Sequence, residues 1–87
     1  MKHDDAEAIT RIVMHILRER RESKGLSYRK LAKKTGISNR YLSMIEHGEY
    51  NPTLLQLLKI AAALGLKLGP VVSRAQREWK AQKRAKS

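Results

Sequence analysis

Cysteine is absent from this 87-residue chain, which removes disulfides, thiolate metal sites and thiol nucleophiles together. Phenylalanine is absent too, and one Trp and three Tyr leave the core to be built from aliphatic side chains. No stretch approaches the roughly 18 consecutive apolar residues of a membrane span. The opening Met1-Lys2-His3-Asp4-Asp5-Ala6-Glu7 lacks the apolar run of a signal peptide. A cytoplasmic protein with no membrane attachment is therefore expected. No segment alternates apolar and polar residues for long enough to suggest a strand.

Acidic residues are the scarce charge. Eight Asp and Glu stand against 19 Lys and Arg, for a formal net charge of +11, a balance that suits a polyanionic partner. An enzyme is not expected: there is no glycine-rich phosphate loop and no arrangement of nucleophile and base. His3 and His15 have no partner ligands at useful spacing, so neither a metal nor any other cofactor is expected.

What the chain does contain is helical periodicity. Ile9, Ile12, Val13, Ile16 and Leu17 recur at spacings of three and four, which predicts an amphipathic helix over about 4–23. Asp4 and Asp5 suit its positive end, and Arg18, Arg20 and Arg21 its negative end. Ser27 can cap a second helix over 28–34, ended by Gly36, and Ser38 a third over 38–47 with Leu42 and Ile45 facing inward. Thr53 and Gln56 make a capping box for a fourth helix ending near Leu64. Leu54, Leu57, Leu58, Ile60, Ala61 and Leu64 are expected on its buried side. A fifth helix should open around Gly69-Pro70 and run into the lysine-rich tail.

The stretch from Ser27 to Gly48 thus reads as two short helices hinged at Gly36. The second carries Asn39 and Arg40 in its first turn, with Ser43 and Met44 on or beside the same outer face. Arg pairs bidentately with guanine and Asn with adenine in the major groove of DNA, so these four are the expected base-reading residues. Tyr41 could touch a thymine methyl or a sugar-phosphate. Ser27 and Tyr28 open the second helix, whose free N–H groups can face a phosphate. Arg29 and Lys30, with Lys33 and Lys34, add longer-range attraction, and Ser38 serves as cap first and phosphate contact second.

Taken in succession, Gly25-Leu26-Ser27, Leu31-Ala32, Gly36-Ile37-Ser38, Ile45-Glu46, Gly48, Asn51-Pro52-Thr53-Leu54, Leu58-Lys59-Ile60-Ala61 and Ala63-Leu64-Gly65-Leu66 resemble the Cro/Xre-type helix-turn-helix family of phage repressors and small bacterial regulators. That resemblance implies an all-α fold: a compact five-helix lambda-repressor-like bundle, here with an extended first helix and a basic C-terminal helix or tail. It implies phosphate contacts just after the recognition helix, at His47, Asn51 and Thr53, and an ion pair between Arg21 and Glu46 that orients that helix. Lys30 departs from the pattern, because an acidic residue is usual three positions after the Ser27 cap.

Two segments are expected: a DNA-binding domain over 1–72, with the helix-turn-helix at about 27–48, and a basic helical extension over 73–87, partly disordered over its final eight residues. Six basic residues face one acid in that extension, and Trp79 is expected to pack onto the first helix or a partner subunit. The small aliphatic core favours a homodimer, with Leu66, Leu68, Val71, Val72 and Trp79 as interface candidates. The expected function is a sequence-specific double-stranded-DNA-binding transcriptional regulator, a repressor or autoregulator. The alternative is an antitoxin that also binds a toxin partner.

Overall fold

The first and last helices, both long and both amphipathic, make the frame on which the rest of the chain is hung. In the computed structural model, which describes residues 1–86, α1 spans His3–Ser23 and α5 spans Leu68–Lys86. Between them lie α2 (Tyr28–Thr35), α3 (Asn39–Glu46) and α4 (Leu54–Ala63). There is no strand among the described residues. No single helix there is long and apolar enough to cross a membrane.

The apolar stripe of α1 buries Ala8, Val13, Met14, Ile16 and Leu17, while α5 contributes Leu68, Val71 and Ala75. The two helices run antiparallel. Asp5, near the start of α1, meets Trp79 and Lys83 of α5, whereas Arg20, near its end, donates to the Leu64 carbonyl just ahead of α5 (3.2 Å). At the opposite side of the core, Leu17, Leu31, Leu42, Ile45 and Leu64 are the largest side chains closed off completely. They come from α1, α2, α3 and the end of α4, so this is where the short helices lock onto the frame. Removing one such side chain, as in Leu42→Ala, costs about 2–5 kcal/mol in comparable cores.

Local chemistry sets the boundaries. Ser27, Ser38 and Thr53 each accept a hydrogen bond from the backbone N–H three residues on, and Thr53 with Gln56 closes the full capping box. At α2 only half of that device is present: the Lys30 N–H reaches the Ser27 hydroxyl (3.2 Å), but no acidic side chain returns the contact. Gly36 ends α2 with φ of 75°, its N–H on the Ala32 carbonyl. A side chain is disfavoured in that left-handed conformation, which is why the hinge between α2 and α3 is a glycine.

Three features differ from the sequence-based expectation. α5 begins at Leu68, placing Pro70 inside its first turn, where the missing N–H has no helical acceptor to lose. The same helix continues to Lys86 instead of loosening over the last eight residues. Trp79 and Lys83 both bond Asp5 across the α1–α5 seam and hold this part of α5 against the frame. Ser87, the last of those eight, lies outside the described residues.

The third difference is on α4. Leu54 and Leu58, expected on the buried side, are 66% and 50% exposed, and Leu55 beside them is 64% exposed. The core lies toward Ile60, Ala61 and Leu64, with Leu57 packed against it. Leu54 and Leu58 sit at the edge of that arc, where the other described residues leave them at least half exposed.

Candidate nucleic-acid interface

α3 is eight residues long, about 12 Å at 1.5 Å per residue. Leu42 and Ile45 bury one side of it. At 100° per residue, Asn39, Ser43, Arg40 and Met44 occupy an arc of about 140° directly opposite those two. Asn39 and Arg40 are exposed, while Ser43 and Met44 are half-buried. Neither Asn39 nor Arg40 makes a side-chain hydrogen bond or ion pair within the described residues. Their donors and acceptors are therefore free for an outside partner.

The orientation of α3 is fixed from behind. The Arg21 guanidinium holds Glu46 in a two-point contact, Nε to Oε2 at 2.8 Å and Nη2 to Oε1 at 3.1 Å. Its remaining nitrogen donates to the Leu26 carbonyl (2.8 Å). The same guanidinium lies over the Tyr28 ring at 4.3 Å, and the Tyr28 hydroxyl donates to Glu46 Oε1 (3.0 Å). One carboxylate thus ties together the end of α1, the start of α2 and the end of α3. Its side chain is 5% exposed and that of Arg21 is 11%, so little water competes for the pair. Glu46 raises the Arg21 pKa further above its ordinary value through their hydrogen bond. Burial raises that of Tyr28, with the hydrogen bond to Glu46 adding to it, so the phenol keeps its proton.

The sequence places Tyr28 at a phosphate. The structure commits its hydroxyl to Glu46, a role that spacing alone did not signal. Arg18 also comes near that carboxylate (3.9 Å). His47 is turned back on its own helix: its Nδ1 donates to the Ser43 carbonyl (2.7 Å) and lies 3.4 Å from the Ser43 hydroxyl. The Tyr41 ring is stacked on Tyr50 of the following loop, with centroids 5.8 Å apart and planes within 9°. Tyr50 entered no sequence-based expectation, since a turn-rich loop gives no pattern that singles out one residue.

Around α3 the structure places Ser27, Arg29, Lys30 and Ser38 exposed on α2 and the hinge. His47, Asn51 and Thr53 are exposed at the other end of α3 and in the loop beyond. Lys33 and Lys34 continue the cationic face of α2. The proposed interface residues thus fall into an outward arc on α3 with polar and cationic groups at either end.

The interface candidates at the other side of the molecule are placed differently. Leu68 and Val71 are buried in the core of the single chain and so are not available to a partner. Leu66 and Val72 pack against that core from its edge. The Trp79 indole donates to Asp5 Oδ1 (2.9 Å) and is half-buried within the chain.

Residues 17–71 match the helix-turn-helix family model HTH_3, which covers well over half of the chain. The chain belongs to this family, whose Cro/Xre-type members the motif succession resembles. A protein of Sinorhizobium fredii described as the uncharacterized HTH-type transcriptional regulator y4dJ is 45% identical over 46 residues, covering 53% of this chain and 60% of that one. The HTH-type transcriptional regulator SutR of Escherichia coli is 34% identical over 70 residues, 80% of this chain and 39% of its own. The immunity repressor protein of Bacillus phage phi105 is 38% identical over 52 residues, 60% of this chain and 36% of that one. The matched part thus amounts to between about a third and three fifths of these relatives' lengths. No solved structure matches the chain.

Proposed function

We propose that this protein is a sequence-specific double-stranded-DNA-binding transcriptional regulator, acting as a repressor or autoregulator, with α3 in the major groove. The observation that carries the reading is the outward arc of Asn39, Arg40, Ser43 and Met44. It is unpartnered at its two longest polar side chains and held in place by the Arg21–Glu46 pair behind it. Arg40 reads a guanine and Asn39 an adenine, in the pairing geometry those side chains favour.

Backbone clamps flank the arc. Ser27 and the open N-terminus of α2 take one phosphate, with Arg29 and Lys30 beside it. Ser38 and Tyr41 lie along the groove wall, and His47, Asn51 and Thr53 take a phosphate beyond α3. Such contacts supply affinity and register while α3 supplies choice. The net charge of +11 makes that affinity fall steeply with salt. The regulators and the phage repressor among its relatives support the same assignment. Two copies act together in the cytoplasm, reading half-sites about one helical turn apart.

Selection of bound duplexes from a random pool tests the reading, followed by the Arg40→Ala variant on the selected site. The variant is expected to lose about 1–3 kcal/mol at one base position and little at the others. An equal loss on every duplex would make Arg40 a phosphate contact. No preference among duplexes for the wild-type protein would overturn the proposal.

A further inference from the structure

Arg74, Arg77, Lys80 and Arg84 are all exposed and fall within about 120° of one another on α5. That arc lies opposite Leu68, Val71, Ala75 and Trp79, the side chains turned toward the core and α1. Its other members are Pro70, Ser73 and Ala81, so it holds no acid and no large apolar group. Glu78, at its border, pairs with Arg74 (3.3 Å), and Asp5 takes Lys83 (3.0 Å). Arg77 and Lys80 make no side-chain hydrogen bond or ion pair within the described residues. Like charges three and four apart on a helix repel, and no neighbouring acid relieves these two. We propose that this arc binds the phosphate backbone of a second DNA duplex, so that one molecule bridges two duplexes. The proposal rests on the reading of α3 as the groove-binding helix. Apart from Pro70, the arc lies beyond the family match over 17–71.

Position sets the arc apart from the first duplex. Asp5 and Ile16 of α1 turn toward α5, where Asp5 accepts from Trp79 and Ile16 shares a groove with Val71. Met14 and Arg21 turn toward α3, where Met14 shares a cavity with Ile45 and Arg21 holds Glu46. At 100° per residue these two pairs point about 160° apart, so α5 and α3 sit on nearly opposite sides of α1. With packed axes about 8–10 Å apart, about 30 Å separates the outer face of α5 from that of α3. That is about three Debye lengths at 0.1 M salt, so the arc adds almost nothing to the attraction at α3. A single duplex, with a persistence length of about 50 nm, would have to fold back on itself to touch both faces.

Chemistry selects the occupant. Docking on a membrane surface takes an apolar helix face to bury among acyl chains, and that of α5 is already packed against α1 and the core. A protein partner needs aromatic or large aliphatic groups at the centre of its contact, whereas the arc offers only Pro70 and Ala81. A phosphate backbone needs only cations. From Arg74 to Arg84 the arc runs about 15 Å, a length over which a duplex carries about nine phosphates. All four cations can therefore be engaged at once.

The test uses the full chain bound to a bead-immobilised duplex carrying one selected site, with a labelled second duplex of unrelated sequence added after washing. The wild type is expected to hold the second duplex on the bead and to release it steeply as salt rises. Arg77→Gln and Lys80→Gln together should weaken that retention about tenfold or more and lower its salt slope by about 2. Both side chains are exposed and glutamine suits a helix, so binding at the selected site should not change. Lys2→Gln with Lys59→Gln removes the same charge from exposed positions off the arc and should hold the second duplex nearly as the wild type does.

A wild type that holds one duplex and never a second would overturn the proposal, as would an α5 variant that still bridges. A control variant that loses bridging equally would reduce the effect to general charge and overturn it. Equal weakening at the selected site by the α5 variant would place both faces on one duplex, with the same result. Retention of anionic vesicles or an acidic protein in place of a second duplex would overturn it too. Loss of all duplex preference would sink the reading of α3 alone, while retention of a second duplex on any immobilised one still decides the bridge.

Discussion

The two ends of α1 are fastened by different chemistry. At the C-terminal end, Arg21 and Glu46 form a nearly dry, two-point ion pair roofed by Tyr28. At the N-terminal end, Asp5 gathers the Trp79 indole and the Lys83 ammonium at a wetter junction, with the Asp5 side chain 18% and that of Lys83 53% exposed. The first junction sets the angle of the helix proposed to read DNA. The second only keeps the outer halves of α1 and α5 together. Equal numbers of hydrogen bonds would not make these junctions equal, because a charge pair is worth most, and is most costly to break, where water is excluded.

Glu46→Gln probes the dry junction and carries the largest expected effect. It leaves the Arg21 guanidinium largely buried without a counter-charge, at a cost of about 3 kcal/mol. A thermal melt should show Tm falling by more than about 10 °C for a domain of this size. An unchanged Tm would mean that the pair is solvated and that the contrast between the two ends is false.

Trp79→Ala removes both the apolar cover and one donor at the outer end. Since the side chain is half-buried, a loss of about 2 kcal/mol is expected, below that of a fully enclosed Trp. Urea unfolding measures it, and hydrogen exchange should quicken over residues 80–86 while DNA affinity holds. A loss of DNA binding would show that the outer end also positions α3.

Ser38→Ala tests the reading helix from its other terminus. The hydroxyl accepts from the Tyr41 N–H (3.1 Å), and its removal should cost about 1 kcal/mol by chemical denaturation. The smallest effect is expected in acid. Hydrogen bonds from Trp79 and Lys83 hold the Asp5 carboxyl below its ordinary value of 3.8. A depressed carboxylate stabilises the fold above the unfolded value and loses that contribution as pH falls through the folded one. The stability difference between wild type and Asp5→Asn should therefore be constant near neutrality and shrink below about pH 4. A difference that persists unchanged in strong acid would show that Asp5 contributes through shape and not through charge.

Much of the fold was legible because caps and periodicity are local. Ser27, Ser38 and Thr53 announced three helix starts within a residue of where they occur, and Gly36 announced the hinge. The α3 arc was legible for the same reason: Leu42 and Ile45 define an inside, and the outside follows from 100° per residue. The Arg21–Glu46 pair came from the family resemblance, since 25 residues of separation carry no local signal. The roles of Tyr28 and Tyr50 were not legible, because each depends on a neighbour distant in sequence or in an irregular loop.

The errors share a cause. The leucines of α4 look alike to any pattern of hydrophobicity, yet Leu57 is covered while Leu54, Leu55 and Leu58 are not. Leu68 and Val71 look available for a partner and lie instead in the core of the single chain. Apolar identity shows that a side chain gains from leaving water; it does not say which surface will take it.

The sequence by itself determined where the helices start and stop and which way α3 turns its polar arc, since hydrogen bonds within a turn or two settle those matters. The tertiary structure decided which carboxylate anchors α3, how far α5 stays bound to α1, and which leucines stay exposed. Those outcomes depend on the packing of helices far apart in the chain, and no local run of residues contains that geometry.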